Sequence, residues 1–523
     1  MTWLVSILLV GAAPFVAGAQ NCEGLLQLKL QDTTVLLAQT VSQGEFTPPG
    51  GKTVSHLPTF CRVAGVSRPT SDSDIEFEVW LPATGWNGKF QGVGNGGFAG
   101  TISYQQLGDA VSHEYASAST NTGHSAQKDV DATWALHHPE KIIDFGYRAI
   151  HVTAVNAKAV ITAYYGSAAK RSYFSSCSNG GRQALMEAQR FPEDYDGIIA
   201  GAPANYWTHL LANAAWNLEA LLLENASYIP SAKLPAIQAA ALAACDVRDG
   251  VKDNVIEDPS GCHFDTSVLL CKGPESDACL TPPQVAALNK LYAGGRTRTG
   301  KQVFAGYSPG GEAEPNGWAL WITGSGPGKS LMYQFATEFF KNMVFSDPAW
   351  DFRRFNVDRD TAAADEKMAR DLNANDPDLG RFQQRGGKLI LYHGWSDAAI
   401  AAGATVDYYR HVSAKMGAAQ TSEFVRLFMV PGMEHCRGGE GPDDFGQGGV
   451  GAGDERNSID VELEHWVEGG PPPEVVIASK RGQDGRVVRT RPLCSFPKIA
   501  KYKGNGSTDE AQNFVCAASG EYE

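Results

Sequence analysis

Apolar positions in this chain fall into short continuous runs separated by stretches of helical spacing. RSYFSS (171–176) has the length of a buried strand, GRQALMEAQRF (181–191) carries a helical period stopped by Pro192, and DGIIAG (196–201) is another strand-length run. Upstream, DFGYRAIHVTAVNAKAVITAYYG (144–166) predicts a long helix. IEFEVWLPATGWNGKFQGVGN (75–95) predicts two strands about a turn at Gly85 to Gly88, the second running into a glycine-rich loop. The same alternation returns late, in GGKLILYHG (386–394), ATVDYYRHVSAKMG (404–417) and EFVRLFMVPG (423–432). Strands alternating with helices predict a parallel, doubly wound α/β sheet.

Between the two halves the pattern changes. Residues 205–380 carry Ala/Leu-rich helical segments, four clustered cysteines and Gly/Pro-rich loops such as GYSPGGEAEPNG (306–317). An insertion between strands of such a sheet emerges at their carboxyl edge, where ligands bind, so this stretch is expected to be a lid. The expected division is 1–19 leader, 20–204 and 381–523 catalytic domain, and 205–380 lid.

The leader is read from MTWLVSILLVGAAPFVAGAQ, an apolar run ending in Ala17-Gly18-Ala19 as a secretory signal does, although its first residues lack Lys and Arg. A membrane anchor fits less well, because the run is short, contains Pro14 and has no stop-transfer segment after it. Ten cysteines suit an oxidising compartment, and sequons at Asn225 and Asn505 suit glycosylation during export. A formal charge of −14, without dense Lys/Arg runs, argues against nucleic-acid or anionic-membrane partners.

Chemistry concentrates in SSCSNGGRQ (175–183). Ser178 lies between a predicted strand and a predicted helix, with Ser176 two before it and Gly180 two after, the frame of a nucleophile elbow. Its bland alternative is a serine N-cap. An acid and a base should then follow in that order, each just past a late strand. Of the late histidines, His393 falls inside a strand, and His411 and His465 fall in helical stretches. His435, in VPGMEHC, lies in a loop after a strand, and Asp397, in YHGWSDAAI, does likewise, with a helix N-cap as its own alternative. Asp443 and Asp444 compete less well, since neither follows a strand.

Cys177 precedes the candidate nucleophile and Cys436 follows the candidate base. A bridge between them would bring Ser178 and His435 within hydrogen-bond reach, and closing so long a loop stabilises by roughly 5 kcal/mol in the chain-entropy model. The other eight divide by local spacing into Cys22/Cys61, Cys245/Cys262, Cys271/Cys279 and Cys494/Cys516, though Cys177 and Cys436 pairing elsewhere stays open. Two backbone donors should receive the oxyanion: the N–H of Asn179 and one from GVGNGGFAG, where Gly97 is chosen over Gly96. That loop also matches a dinucleotide fingerprint, but a disulfide-rich exported chain is a poor host for NAD, and no organic cofactor is expected.

Together, CSNGGRQ, RFPEDYDGIIAGAPA, GGKLILYHGWSD and PGMEHC resemble the tannase and feruloyl esterase family of α/β-hydrolases over nearly the whole mature chain. The resemblance implies an α/β-hydrolase fold with an inserted lid, a Ser178–His435–Asp397 serine esterase, and phenolic-acid esters as substrates, free or linked to polysaccharide. One departure is Glu434 beside His435, where small residues are familiar. CDVRDGVKDNVIEDPSGC (245–262) clusters Asp246, Asp249 and Asp253 but fails the EF-hand spacing, and by itself reads as an acidic surface turn. The resemblance carries onto it a structural Ca2+ site formed by those carboxylates and the carbonyls of Val251 and Val255.

Weaker features complete the expectations. His124 and His137-His138 read as hydrogen-bonded structural histidines rather than catalytic accessories. The glycine-rich stretch after His435 is a solvated loop that could border the site, and Trp318, Trp321 and Phe335 serve either to stack on a phenolic ring or to pack the lid core.

Overall fold

The computed structural model describes residues 21–49, 51–449 and 457–519; the predicted leader lies outside them. A nine-stranded sheet organises the chain: β1 Thr33–Val41, β2 Phe60–Ser67, β3 Ile75–Pro82, β4 Lys89–Val93, β5 Ala116–Thr120, β6 Arg171–Cys177, β7 Gly197–Gly201, β8 Lys388–Gly394 and β9 Val425–Val430. Their spatial order is β1-β2-β3-β5-β4-β6-β7-β8-β9. The pairs β1/β2, β2/β3 and β3/β5 are antiparallel, and every later pair is parallel. The two strands read about Gly85 to Gly88 both exist, but they are not neighbours, because β5 lies between them.

Six helices matter for the site: α1 Tyr104–Ser112, α2 Ala149–Tyr165, α3 Asn179–Arg190, α4 Trp207–Leu222, α5 Gly403–Met416 and α6 Ile459–Val467. Strand side chains alternate between two cores, as a period of two requires. Phe174, Ile198, Leu389, Leu391 and Leu427 pack against α2, α3 and α5. Tyr173, Ile199, Ile390, Tyr392 and Phe428 pack against α1 and α6. With both faces covered, β7 and β9 are buried at every residue, which is why they read as unbroken apolar runs.

From β7 to β8 the chain adds no strand to this sheet. It builds instead a helical layer whose core, containing Leu210, Leu218, Leu288, Phe339, Phe340 and Trp350, continues into Phe98 and Ala398 to Ala401 on the loops at the strand ends and into Phe145 in the helical turn before α2. The layer is therefore seated on the carboxyl edge of the sheet. This sheet order with crossover helices is the α/β-hydrolase fold.

Candidate active site

Ser178 separates β6 from α3 and adopts φ 67°, ψ −126°, a conformation that costs a non-glycine residue of order 1–3 kcal/mol. Backbone bonds hold it there: its N–H donates to the Gly201 carbonyl (2.9 Å), and its carbonyl accepts from Arg182 and Ala204 N–H (3.1 Å each). The glycine pair is sterically required. A side-chain carbon on Gly180 would lie 1.9 Å from Ser176 Oγ, and one on Gly181 would lie 2.3 Å from the Gly201 carbonyl oxygen. Ser176 stands where the elbow pattern has glycine because bare backbone at Gly180 and Gly94 leaves room for its hydroxyl.

Ser178 makes no side-chain cap to α3. Its Oγ lies 2.9 Å from His435 Nε2, and His435 Nδ1 lies 2.7 Å from Asp397 Oδ2. Asp397 Oδ1 accepts the N–H groups of Ala399 (2.8 Å) and Ile400 (2.9 Å). The carboxylate thus caps a turn with one oxygen and meets the imidazole with the other. His393, fully buried, is a partner the sequence did not mark. Its Nε2 lies 3.1 Å from Asp397 Oδ2 and 3.0 Å from the Ile400 carbonyl. A carbonyl can only accept, so Nε2 carries the proton, while Nδ1 pairs with Thr405 Oγ1 at 2.7 Å. Burial raises the Asp397 carboxyl pKa, but the attraction and hydrogen bonds of His435 and His393 outweigh it and hold the group below the usual carboxylate range.

Cys177 and Cys436 are bridged, with Cα atoms 6.1 Å apart, and the other four pairings are Cys22–Cys61, Cys245–Cys262, Cys271–Cys279 and Cys494–Cys516, as spacing suggested. Asp443 and Asp444 do not approach His435 as partners; they pair with Lys480 (2.9 Å) and Arg481 (2.8 Å).

Asn179 opens α3, so its N–H has no acceptor within the helix, and it faces the same cavity as Gly96 and Gly97. Gly97 has φ 52°, and a side-chain carbon there would lie 2.4 Å from the Asp129 carbonyl oxygen, whereas Gly96 has open space. The loop is pinned from three sides. Phe98 N–H donates to the Asp129 carbonyl (2.6 Å), His124 Nε2 to the Phe98 carbonyl (2.8 Å), and Asn95 N–H to Gln183 Oε1 of α3 (3.0 Å). His124, stacked on Trp134 and pushed down to about 4 by burial, is a neutral structural residue. His138 lies at the surface against Asp72 (2.7 Å).

Two buried ionisable residues flank the site, Arg182 unmarked in the sequence and Glu434 marked there only as a departure from the family. Arg182 is fully buried in α3, donates to Asn179 Oδ1 (2.8 Å) and to the carbonyls of Gly146 and Phe145, and lies over the Phe145 and Trp207 rings. Glu434 is fully buried with neither oxygen hydrogen-bonded. Burial, then Asp397, Glu314 and Glu312, push it up to about 9, so it holds its proton at neutral pH.

Ser178 and His435 open into a cavity of about 860 Å³. The helical layer gives it an apolar wall of Trp207, Leu210, Leu211, Trp321, Met332 and Phe335. Trp321 meets the His435 ring edge-on at 5.2 Å and stacks on Phe335 at 6.1 Å. Trp318 does not reach the cavity and packs the core of the layer. Gln447 and Gly448, in the glycine-rich stretch after His435, also line it.

In the acidic loop, Asp246 accepts the N–H groups of Asp253 and Asn254 (3.2 Å each), Asp249 that of Val251 (2.8 Å), and Asp253 that of Val255 (3.3 Å). Asp253 also pairs with Arg491 at 2.5 Å. Burial pushes Asp249 up to about 6, with Asp253 and Asp246 adding to the rise, an excess of negative charge that a hard cation relieves. The donor set fits Ca2+ in kind. Among the described residues no helix is long and apolar enough to cross a membrane.

Comparison with known proteins bears on the whole chain. The family model described as tannase and feruloyl esterase matches residues 61–517. An uncharacterized esterase of Xanthomonas campestris pv. campestris is 44% identical over 98% of this chain and 93% of its own, and a probable feruloyl esterase B-1 of Aspergillus fumigatus is 34% identical over 94% and 93%. The crystal structure of feruloyl esterase B from Aspergillus oryzae superposes with a TM-score of 0.87 at 29% identity, covering 95% of this chain and 99% of that one. Fold and relatives together define a carboxylic ester hydrolase. Within that class, the chain belongs to the tannase and feruloyl esterase family.

Proposed function

We propose that this protein is a secreted serine esterase that releases ferulic and related hydroxycinnamic acids from esters of plant cell-wall polysaccharides, with Ser178, His435 and Asp397 as its catalytic residues. The observation that carries this reading is the hydrogen-bonded series Ser178–His435–Asp397, at 2.9 and 2.7 Å, opening on a cavity with an aromatic wall. His435 Nε2 takes the Ser178 proton as Oγ attacks the ester carbonyl, then gives it to the departing alcohol. Asp397 holds the imidazole tautomer and balances the imidazolium. The N–H groups of Asn179 and Gly97 receive the oxyanion, and water activated by His435 releases the acid from the acyl-enzyme.

Residues 205–380 act as the lid and contribute the acyl-binding wall. Asp246, Asp249 and Asp253, with the carbonyls of Val251 and Val255, hold a structural Ca2+, which supplies a cross-link within the lid. Ala17-Gly18-Ala19 marks the leader cleavage site, and Asn225 and Asn505, both exposed, accept glycans in a eukaryotic host. N-terminal sequencing of culture-medium protein tests the leader; a mature chain that retains the first 19 residues refutes it.

A galloyl ester is the second reading, since relatives in this family include tannases by description. Three ring hydroxyls demand polar partners: a ring seated on the wall of Leu210, Leu211, Met332 and Phe335 finds none, which suits a methoxy-bearing cinnamoyl group, whereas Gln105, Gln106, Asp109 and Gln447 elsewhere in the lining could serve a galloyl ring. Rates on methyl ferulate, methyl gallate and a short aryl ester, each with Ser178→Ala alongside, decide the matter. Faster turnover of gallate selects the tannase reading. No hydrolysis above background by either protein would mean a binding protein on an inactive hydrolase fold, and equal measurable rates would remove Ser178 from the mechanism.

A further inference from the structure

Three residues outside the cavity converge on one point. His151 is on α2, Glu187 on α3, and Asp194 in the turn that leads from α3 into β7. One nitrogen or carboxylate oxygen from each lies within 4.8 Å of the other two. None of them lines the cavity beside Ser178.

We propose that His151, Glu187 and Asp194 bind a first-row divalent cation such as Zn2+, a site separate from the lid loop. Glu187 is the independent reason to expect a ligand. It is fully buried, and neither of its oxygens receives a hydrogen bond from any N–H or O–H group. A buried carboxylate without a donor is costly, and only a proton shared with Asp194 or a cation answers it.

Charge and geometry favour the cation. Lys158 Nζ lies 3.6 Å from Asp194 Oδ1 but donates to the backbone carbonyls of Glu193 and Asp194, and Arg385 is taken by Asp196 at 3.1 Å and by two carbonyls. The two carboxylates thus face one ammonium that is engaged with backbone carbonyls, and one imidazole that is itself a metal ligand. His151 is already oriented: its ring stacks on Phe191 at 3.8 Å, nearly parallel, with Nδ1 2.6 Å from Asp194 Oδ2. An imidazole nitrogen with two carboxylates is a donor set for Zn2+ and its neighbours rather than for Ca2+, which takes oxygen alone. The His151 side chain is 30% exposed, which leaves a path for the ion and room for water in the fourth position. The bound ion would clamp the far half of α3 to α2 and to the turn before β7, stiffening the helix that begins at the Ser178 elbow. Its role is structural.

The full-length protein, stripped with chelator, is titrated with ZnCl2 alone and melted. The wild type should gain several degrees. Glu187→Gln and His151→Gln should gain none, while Asp249→Asn, which alters only the lid loop, should keep the gain. Crystals soaked in ZnCl2 should show anomalous density about 2.0–2.2 Å from His151 Nδ1 and from both carboxylates. Equal gains in wild type and Glu187→Gln, no gain in wild type, or anomalous density only at other sites would each overturn the proposal. Should Glu187→Gln fail to fold, His151→Gln, altered at a half-exposed ring, carries the comparison.

Discussion

The two sides of the cavity are built on opposite principles. On the sheet side, each reactive group sits on a short turn at the carboxyl end of a strand, Ser178 after β6, Asp397 after β8 and His435 after β9, and the three are hydrogen-bonded in series. On the lid side the wall is apolar and comes from helices and loops scattered between Trp207 and Phe335. Backbone geometry fixes the Ser178–His435–Asp397 series, whereas packing alone shapes the apolar wall, which under the proposed function receives a substrate's acyl group. Changes on the sheet side should therefore abolish turnover, and changes on the lid side should redistribute it among substrates.

Ser178→Ala should lower kcat by about 10^4-fold or more with little change in melting temperature, because the hydroxyl donates to His435 and caps nothing. Steady-state assays with a melting curve check both halves. Replacing Cys177 and Cys436 together by serine should cost about 2–5 kcal/mol of stability. The same change should slow turnover by roughly 10- to 100-fold as the Ser178–His435 distance loosens. Unchanged kcat would show that the elbow and the loop after β9 need no staple.

Trp321→Ala and Phe335→Ala should raise KM for cinnamoyl esters about tenfold while leaving a short aryl ester nearly unaffected. Equal losses on both substrates would erase the distinction between the two sides.

Glu434→Gln should have a smaller, pH-dependent effect. The folded carboxyl is held near 9, above the ordinary glutamate value of 4.5, so the wild type keeps its full stability below about pH 4.5 and loses it as pH rises toward 9. The amide removes that loss. The variant should be more stable than wild type by up to about 3 kcal/mol at pH 7, with the gap closing in acid. Denaturant melts at several pH values measure it, and a gap independent of pH contradicts the assignment. Chelator should lower the melting midpoint of wild type more than that of Asp249→Asn, by a few degrees.

The sheet side was readable from sequence because turns at strand ends leave local marks: SSCSNGGRQ encodes a strand, a tight apex and a helix within nine residues, and the flanking cysteines encode a distance. His393 was passed over because a histidine inside a strand shows no sign of which loop it faces, although its place four residues before Asp397 was a usable hint. Arg182 carries charge into the interior and Glu434 a protonated carboxyl, both against the pattern on which core reading depends. β1 escaped because its exposure follows no clean alternation, and β5 because pairing order across a sheet leaves no local trace. In the lid, Trp321 and Trp318 are three residues apart in equivalent surroundings, yet one faces the cavity and the other the core. Only the folded packing separates them.

The central claim is that Ser178 is the activated nucleophile. Labelling with a fluorophosphonate ester followed by peptide mass spectrometry tests it directly. One adduct on the peptide containing Ser178, lost in His435→Ala and absent from Ser178→Ala, is the expected result; an adduct on another residue, or none in a protein that still hydrolyses esters, would contradict it.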